Sequence, residues 1–184
     1  IRAIGVSNYS LKQMDIFRQA ASLHVVQPPY NIFERHIEHD VLPYVHKHTL
    51  KTLTYGALCR GLLAGRMKPD TQFTGDDLRK VDLKFQQPRY GQYLDAVAQL
   101  ERFARERFKK SVLALAVRWL LDQPDVSIAL WGARRPDQLD PVDEAMGWTI
   151  DDMSRKAIDQ IVHKTIKDPV GPEFMAPPSR EAVT

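Results

Sequence analysis

The sequence predicts an α/β fold with a parallel sheet, and two observations carry that prediction. Short apolar runs rich in β-branched residues recur four times in the 184-residue chain, at residues 1–6, 24–27, 49–55 and 126–131. Each run is followed by turn residues and then by apolar positions at helical spacing. Strands that alternate with helices in this way form right-handed units whose strands are parallel.

The first two runs are each followed by a predicted helix. Ser10 can cap the first helix, because its hydroxyl can accept a hydrogen bond from a backbone N–H group of the first turn. The apolar positions of this helix are Leu11, Met14, Phe17 and Ala21. The apolar positions of the second helix are Ile37, Val41, Tyr44 and Val45. Pro43 fits that helix only near an end or a kink, since proline lacks a backbone N–H group.

The third run leads through three glycines into a long polar connection, residues 67–91, and then into two further helices. The first of these is amphipathic, with inward positions at Leu94, Val97, Leu100, Ala104 and Phe108. The second, capped by Ser111, is apolar nearly all round over residues 112–121, so we expect it to be deeply packed. After the fourth run, a helix over residues 137–146 stops at Gly147, and a last helix runs from Thr149 or Asp151 to about residue 164.

The length and composition are those of one globular domain. With 184 residues, of which 43% are hydrophobic, the chain can bury a core of its own. Four prolines after Asp168 predict a loop at the end of the chain rather than a helix or strand. We therefore divide the chain into one folded unit, residues 1–167, and a proline-rich tail, residues 168–184.

Charge and composition exclude several classes of partner. The 26 Lys+Arg and 23 Asp+Glu residues are interspersed and give a net charge of +3, so we expect neither nucleic acid nor an anionic membrane as a partner. No apolar run is long enough to span a membrane, and no signal peptide is recognisable. The single cysteine, Cys59, excludes an internal disulfide, and the histidines lack a third convergent ligand, so no metal is expected. A cytoplasmic location fits this composition.

Polar side chains end the first two predicted strands, at the edge where parallel α/β folds collect ligands. Ser7, Asn8 and Gln27 combine hydroxyl and amide groups, which can orient a carboxamide through both donors and acceptors. Tyr55, at the end of the third strand, can stack on a planar heterocycle. Taken singly, Ser7 and Asn8 also suit an ordinary helix cap, Gln27 a strand end before two prolines, and Tyr55 a core position.

The third and fourth strands are followed by segments suited to phosphate groups. The loop over residues 55–63 offers backbone N–H groups, few bulky side chains and one cation, Arg60, to a pyrophosphate. Arg134 and Arg135, ahead of a predicted helix, offer a forked cation to another phosphate. Such an arginine pair also suits a solvated corner, and Cys59 suits a packing position better than a redox role.

Together these segments resemble the successive strand-end motifs of the aldo-keto reductases. The matching segments are Gly5-Val-Ser-Asn8, Gln27-Pro-Pro-Tyr-Asn31, Tyr55-Gly-Ala-Leu-Cys-Arg-Gly-Leu-Leu63 and Gly132-Ala-Arg-Arg-Pro-Asp-Gln-Leu139. The resemblance runs from Ile1 through Trp148 and implies the (β/α)8 TIM barrel of that family, represented here by its C-terminal half, strands five to eight. A doubly wound sheet is the competing fold, but it expects a Gly-x-Gly-x-x-Gly turn that residues 5–10 lack.

The resemblance implies a binding site for a nicotinamide dinucleotide. It places Ser7, Asn8 and Gln27 at the nicotinamide carboxamide and Tyr55 against the nicotinamide ring. The positions that match the pyrophosphate loop are Gly56, Leu58, Arg60 and Gly61. The positions that match the segment around the adenosine 2′-phosphate are Gly132, Arg134 and Gln138. This last segment favours NADPH over NADH, although Pro141 and Val142 replace the Glu-Asn pair with which relatives commonly face the adenine.

The family's catalytic Asp, Tyr, Lys and His lie on strands that have no counterpart in this chain, so no catalytic residue is assigned. For the complete enzyme, the resemblance implies NADPH-dependent reduction of small aldehydes or ketones to alcohols. The 184-residue chain alone is expected to be inactive and to need either the N-terminal half of the barrel or a second copy of itself. Two alternatives stay open. The barrel could bind nicotinamide nucleotide without catalysis, as a sensor or regulatory subunit such as the potassium-channel β subunits, or the gene product could begin near Ile1.

Overall fold

A computed structural model describes residues 1–173 and has a four-stranded parallel sheet at its centre, in the order β1-β2-β3-β4. The strands are β1 (Gly5–Ser7), β2 (Val25–Gln27), β3 (Lys51–Thr54) and β4 (Ile128–Ala129). This confirms the predicted α/β fold with a parallel sheet, although each strand is shorter than its apolar run. Among the described residues β1 and β4 are edge strands, so a closed eight-stranded barrel stays a prediction.

The register of the sheet places the strand ends that carry the predicted site residues side by side. Gly5 lies opposite Val25, and Ser7 lies opposite Gln27. A Cβ atom on Gly5 would lie 3.0 Å from the Val25 carbonyl oxygen, so β1 can approach β2 this closely only because residue 5 is glycine. At the other side of the sheet, Thr54 lies opposite Ala129. All four strands therefore end at one edge, as the parallel arrangement requires.

Within residues 1–173, five α-helices connect and cover the strands. They are α1 (Leu11–Ala20), α2 (Val41–Lys47), α3 (Arg89–Phe108), α4 (Val112–Leu121) and α5 (Asp152–Thr165). The Ser10 cap is confirmed, because its hydroxyl accepts a hydrogen bond from the Gln13 N–H at 3.3 Å. Asp151 caps α5 through the Ser154 N–H at 2.8 Å, and Pro43 lies in the first turn of α2, where its missing N–H group costs no helical bond.

The predicted helix over residues 137–146 is wrong in type. Two short 3-10 turns, Pro136–Gln138 and Asp140–Ala145, occupy this segment instead. Their bonds join residues three apart, as from the Leu139 N–H to the Pro136 carbonyl at 2.9 Å. Pro141 lacks the N–H group that an α-helix would need in its interior, which explains the tighter turns. Gly147 follows with φ of 79°, the left-handed conformation expected of the stop.

Helix α4 lies at the centre of the core. Eight of its ten residues are buried, and Trp119 packs its ring 5.3 Å from that of Tyr30, centroid to centroid. This confirms the expected deep packing. No helix in residues 1–173 has the length and apolar composition that crossing a membrane would require. Pro169 and Pro172 lie in irregular structure, as the proline-rich tail predicted, whereas residues 174–184 of that tail lie outside the described residues.

Candidate functional site

The ends of β1 and β2 are joined by a side-chain hydrogen bond. The Ser7 hydroxyl donates to the Gln27 backbone carbonyl at 3.0 Å. Asn8 follows with φ of 57°, a left-handed conformation that asparagine tolerates better than most residues, and the chain turns there toward α1. Within residues 1–173 the Gln27 side-chain amide makes no hydrogen bond, so it remains available to a ligand.

Tyr55 links the end of β3 to the end of β1 across β2. Its hydroxyl donates to Asn8 Oδ1 at 2.9 Å, while its backbone pairs with Pro28 and Tyr30. The bond fixes the direction of the ring and leaves the Nδ2 group of Asn8 as a donor. Burial raises the pKa of Tyr55, and the bond to Asn8 offsets only part of that shift, so the hydroxyl stays protonated at neutral pH.

The loop after β3 is held in an unusual backbone conformation. Cys59 and Arg60 have φ of 46° and 54°, and Gly61 has φ of 92°. The N–H groups of Cys59, Gly61 and Leu63 donate within the loop, at 2.8, 2.9 and 3.1 Å. These three groups are therefore not available to a phosphate. Leu58 packs its side chain against the core, which leaves only its main chain for a ligand.

Four charged side chains form a buried charge network beneath this loop: Glu34, Arg60, Asp82 and Lys84. Lys84 Nζ lies 2.8 Å from Glu34 Oε1 and 3.2 Å from Asp82 Oδ1, and Arg60 Nε lies 3.5 Å from Asp82 Oδ2. The side chains of Glu34, Asp82 and Lys84 are 0% exposed. Burial alone would lower the pKa of Lys84, but the Glu34 and Asp82 carboxylates outweigh it and raise the pKa, so the lysine stays charged.

Asn31 connects the loop after β2 to the loop after β3. Its Nδ2 group donates to the Gly56 carbonyl at 3.0 Å and to Glu34 Oε2 at 2.7 Å. Its Oδ1 atom accepts the N–H groups of Phe33 and Glu34 at 2.9 and 3.2 Å. A fully bonded, buried amide of this kind holds both loops in one arrangement.

The two arginines of the segment after β4 differ in the hydrogen bonds and ion pairs that they make within residues 1–173. Gln138 Oε1 accepts the backbone N–H groups of Arg134 and Arg135 at 2.7 and 3.2 Å. The Arg135 guanidinium forks onto Asp137, with both bonds at 3.0 Å. The Arg134 guanidinium makes no hydrogen bond or ion pair within residues 1–173. Arg134 is therefore the cation of this segment that a phosphate can recruit.

The long connection between β3 and α3 lies near both segments that are predicted to bind phosphate, the loop with Arg60 and the segment with Arg134. Arg79 donates to the Arg60 carbonyl at 3.5 Å and stacks over Phe73 at 4.5 Å. Its bonds lower the pKa of Asp77 to about 2, and the charge of Arg134 contributes to the same shift. The connection thus lies between the Arg60 loop and the Arg134 segment.

Six of the eleven predicted site residues meet in pairs in the structure. The Ser7 hydroxyl donates to the Gln27 carbonyl, and the Tyr55 hydroxyl donates to Asn8 Oδ1. The Arg134 backbone N–H donates to Gln138 Oε1. Of the loop residues Gly56, Leu58, Arg60 and Gly61, Arg60 belongs to the buried charge network, and Gly56 is joined to Glu34 of that network through the Asn31 amide. Gly132 has open space around its Cα, since a Cβ there would meet no atom within 4 Å. Among the described residues no hydrogen bond joins the Arg134 group to Asn8 or Tyr55.

Glu34, Asp82 and Lys84 carry no signal in the sequence. Asp82 and Lys84 are two residues apart in the sequence, but their pairing with Glu34 and Arg60 depends on contacts between residues far apart along the chain. Asn31 ends one of the recognised motifs, and its position directly after Pro-Pro-Tyr is a signal that could have identified it as a structural link between the loops.

Comparison with known proteins adds family information to this geometry. The sequence model of the aldo/keto reductase family matches residues 1–163. Over 183 residues the chain is 58% identical to "Aldo-keto reductase YhdN" of Bacillus subtilis (strain 168), covering 100% of this chain and 55% of that protein. It is 30% identical over 139 residues to "NADH-specific methylglyoxal reductase" of Escherichia coli (strain K12), covering 76% of this chain and 42% of that protein.

A solved structure gives the same result for the fold. The glycerol dehydrogenase AKR11B4 from Gluconobacter oxydans superposes with a TM-score of 0.86 at 53% sequence identity, covering 94% of this chain and 52% of that one. The chain spans about half the length of the relatives it matches.

Proposed function

Because the chain belongs to the aldo/keto reductase family, we propose that it forms the nucleotide-binding part of an NADPH-dependent oxidoreductase that reduces small aldehydes or ketones to alcohols. The observation that carries the proposal is the hydrogen bond from Tyr55 to Asn8, which joins the ends of β3 and β1 over β2. A bound nicotinamide would supply the hydride of the reaction. The residues of this chain bind and orient it.

The residues at the ends of β1 to β3 suit a nicotinamide ring and its carboxamide. Asn8 Nδ2 is a donor, and the Gln27 amide offers a donor and an acceptor, which together match the two groups of a carboxamide. The Tyr55 ring is held by its own hydroxyl, so one face can stack on a planar heterocycle without a loss of ring freedom on binding. Ser7 holds the two strand ends at a fixed separation through its bond to Gln27.

The segments that follow β3 and β4 suit the pyrophosphate and the 2′-phosphate of NADPH. We assign the pyrophosphate to Gly56, Leu58, Arg60 and Gly61, and the 2′-phosphate to Gly132, Arg134 and Gln138. Gly61 would contribute only the absence of a side chain, because its N–H group is bonded to the Leu58 carbonyl. The preference for NADPH over NADH rests on Arg134, because only the 2′-phosphate distinguishes the two nucleotides. A relative at 30% identity is named as NADH-specific, so family membership does not decide between the two nucleotides.

Tyr55 does not suit the role of proton donor to the substrate. Its hydroxyl already donates a hydrogen bond to Asn8 Oδ1, and burial raises the pKa of Tyr55. The acid that protonates the carbonyl oxygen is therefore proposed to lie in the other half of the barrel or in a second copy of the chain. A cytoplasmic location is part of the proposal, and the free, buried thiol of Cys59 is compatible with it.

The test combines binding with turnover. Quenching of tryptophan emission, to which Trp131 just beyond β4 contributes, is measured during titration with NADPH and with NADH. We expect saturable quenching with a lower Kd for NADPH, and oxidation of NADPH when a small aldehyde is added to the complete protein. Binding without turnover would favour the sensor or regulatory alternative. Quenching by neither nucleotide would refute the proposed function.

A further inference from the structure

Burial of the charge network costs the hydration free energy of its charged side chains. Three of its four side chains are 0% exposed, and Arg60 is 17% exposed. Charged groups lose favourable hydration when they are buried, and apolar residues of similar volume often serve stability as well or better. A network of this kind at the base of a binding loop therefore suggests a role in binding rather than in folding alone.

Asp82 divides its two oxygen atoms between two cations. Oδ1 faces Lys84 Nζ at 3.2 Å and accepts the Lys84 backbone N–H at 3.0 Å, while Oδ2 faces Arg60 Nε at 3.5 Å. Lys84 turns its remaining contacts to Glu34 and to the Gly171 carbonyl at 3.0 Å. The position of the Arg60 side chain is thus tied, through one carboxylate, to a lysine that no solvent reaches.

The backbone of the loop needs such support. Cys59 and Arg60 are two consecutive non-glycine residues with positive φ, a conformation that persists only where the surroundings hold it. Cys59 is fully buried, and the Asn31 side chain holds the Gly56 carbonyl. Asp82 faces the Arg60 side chain of the same loop at 3.5 Å.

The charges of the network balance, two positive and two negative. Without Lys84, the two carboxylates would outnumber Arg60, and the base of the loop would carry a net negative charge. Such a charge in a poorly solvated position repels an incoming anion and draws the Arg60 guanidinium inward. With Lys84 present, its ammonium group neutralises the Glu34 and Asp82 carboxylates, and the charge of Arg60 acts on the ligand.

We propose that Lys84 is a positioning residue of the pyrophosphate site: it neutralises Glu34 and Asp82, so that Arg60 is held in place and its charge serves the ligand. The inference rests on the proposed function, since it concerns the same loop. Lys84 itself touches no ligand and acts through Asp82.

The experiment uses calorimetry to measure the Kd values of two ligands for variants in which charged residues of the network are replaced. NADPH contains the pyrophosphate, whereas adenosine 2′-monophosphate carries only the phosphate assigned to Arg134. We expect Lys84→Met to raise the Kd for NADPH by about tenfold or more, the low end of the effect of a charged hydrogen bond, and to leave adenosine 2′-monophosphate unchanged. Lys80→Met is the matched control, because Lys80 is an exposed lysine of the same connection whose ammonium group donates to the Gly75 carbonyl, and it should change neither Kd.

Two further variants keep the test decisive if Lys84→Met folds poorly. Glu34→Gln leaves the network with an excess positive charge and should bind NADPH at least as tightly as the parent. The double variant Glu34→Gln with Lys84→Met restores neutrality and should return the Kd for NADPH to within about threefold of the parent, since opposite charges removed together leave no unpaired ion.

The outcomes separate the inference from the function on which it rests. A parent protein that binds no NADPH overturns the proposed function and the inference with it. A parent that binds, combined with a Lys84→Met variant of unchanged affinity, overturns the inference alone. Equal losses for both ligands, a double variant as weak as the single one, or weaker binding by Glu34→Gln would each show that Lys84 serves stability rather than the pyrophosphate site.

Discussion

Replacing Arg134 by methionine is expected to weaken the binding of NADPH far more than the binding of NADH. The guanidinium of Arg134 makes no hydrogen bond or ion pair within residues 1–173, where its charge acts only at a distance on Asp77, and its backbone N–H is held by Gln138 at 2.7 Å. The substitution therefore removes a charge without removing any contact that supports the loop. Arg135→Met is the matched control, because the Arg135 guanidinium is already engaged by Asp137.

The expected magnitude follows from the chemistry of the contact. A hydrogen bond between a guanidinium and a phosphate contributes about 1.5–3 kcal/mol, and exposure to salt places Arg134 near the lower value. The Kd for NADPH should therefore rise by about tenfold, since about 1.4 kcal/mol corresponds to one factor of ten. The Kd for NADH, which lacks the 2′-phosphate, should change by less than about twofold. The loss for NADPH should shrink as the ionic strength increases.

The assay is fluorescence titration of the parent, Arg134→Met and Arg135→Met with each nucleotide at two salt concentrations. Thermal unfolding of the three proteins checks that the fold is unchanged. Equal losses of affinity for NADPH and NADH in Arg134→Met would refute the assignment of the 2′-phosphate to this residue. A larger loss in Arg135→Met than in Arg134→Met would show that the Asp137 pair opens on binding and that the choice between the two arginines is wrong.

Two further predictions concern the loop after β3 and the connection that follows it. Gly65→Ala should destabilise the protein by about 2 kcal/mol or more in urea denaturation, because φ is 71° and the new Cβ would lie 2.8 Å from Val112 Cγ1. Gly75→Ala, with φ of 62° but no atom within 4 Å, should cost only the backbone part, and equal losses would contradict the clash. Arg79 lowers the pKa of Asp77 from 3.8 to about 2, so this carboxylate stabilises the fold above its unfolded pKa and stops doing so as the pH falls through about 2. The excess stability of the parent over Asp77→Asn, measured by denaturation, should therefore be constant above about pH 5 and vanish near pH 2, and a pH-independent difference would contradict this origin.

Local signals explain why most helices could be predicted. Ser10 and Ser111 each precede a helix and accept a hydrogen bond from its first turn, so the start of the helix depends on neighbours in the sequence. The segment over residues 137–146 is predicted as a helix closed by Gly147, yet the N–H group that Pro141 lacks decides for two 3-10 turns instead.

The candidate site was predictable where chain order alone brings residues together. Parallel strands end at one edge, so Ser7, Gln27 and Tyr55 lie near one another in any right-handed arrangement of these units. The buried ion pair of Glu34 with Lys84 was not predictable, because nothing in the local pattern of a charged residue indicates its partner 50 positions away. The same holds for Asp82 and Arg60.

The loop after β4 separates support from recognition. Gln138 holds its main chain and Asp137 engages the Arg135 side chain, while within residues 1–173 the Arg134 side chain makes no hydrogen bond to this support. Under the proposed assignment, the side chain at position 134 can therefore change the choice of coenzyme without changing the support of the loop. A single codon change there could redirect the protein toward the other nucleotide, which makes this position a natural starting point for redesign.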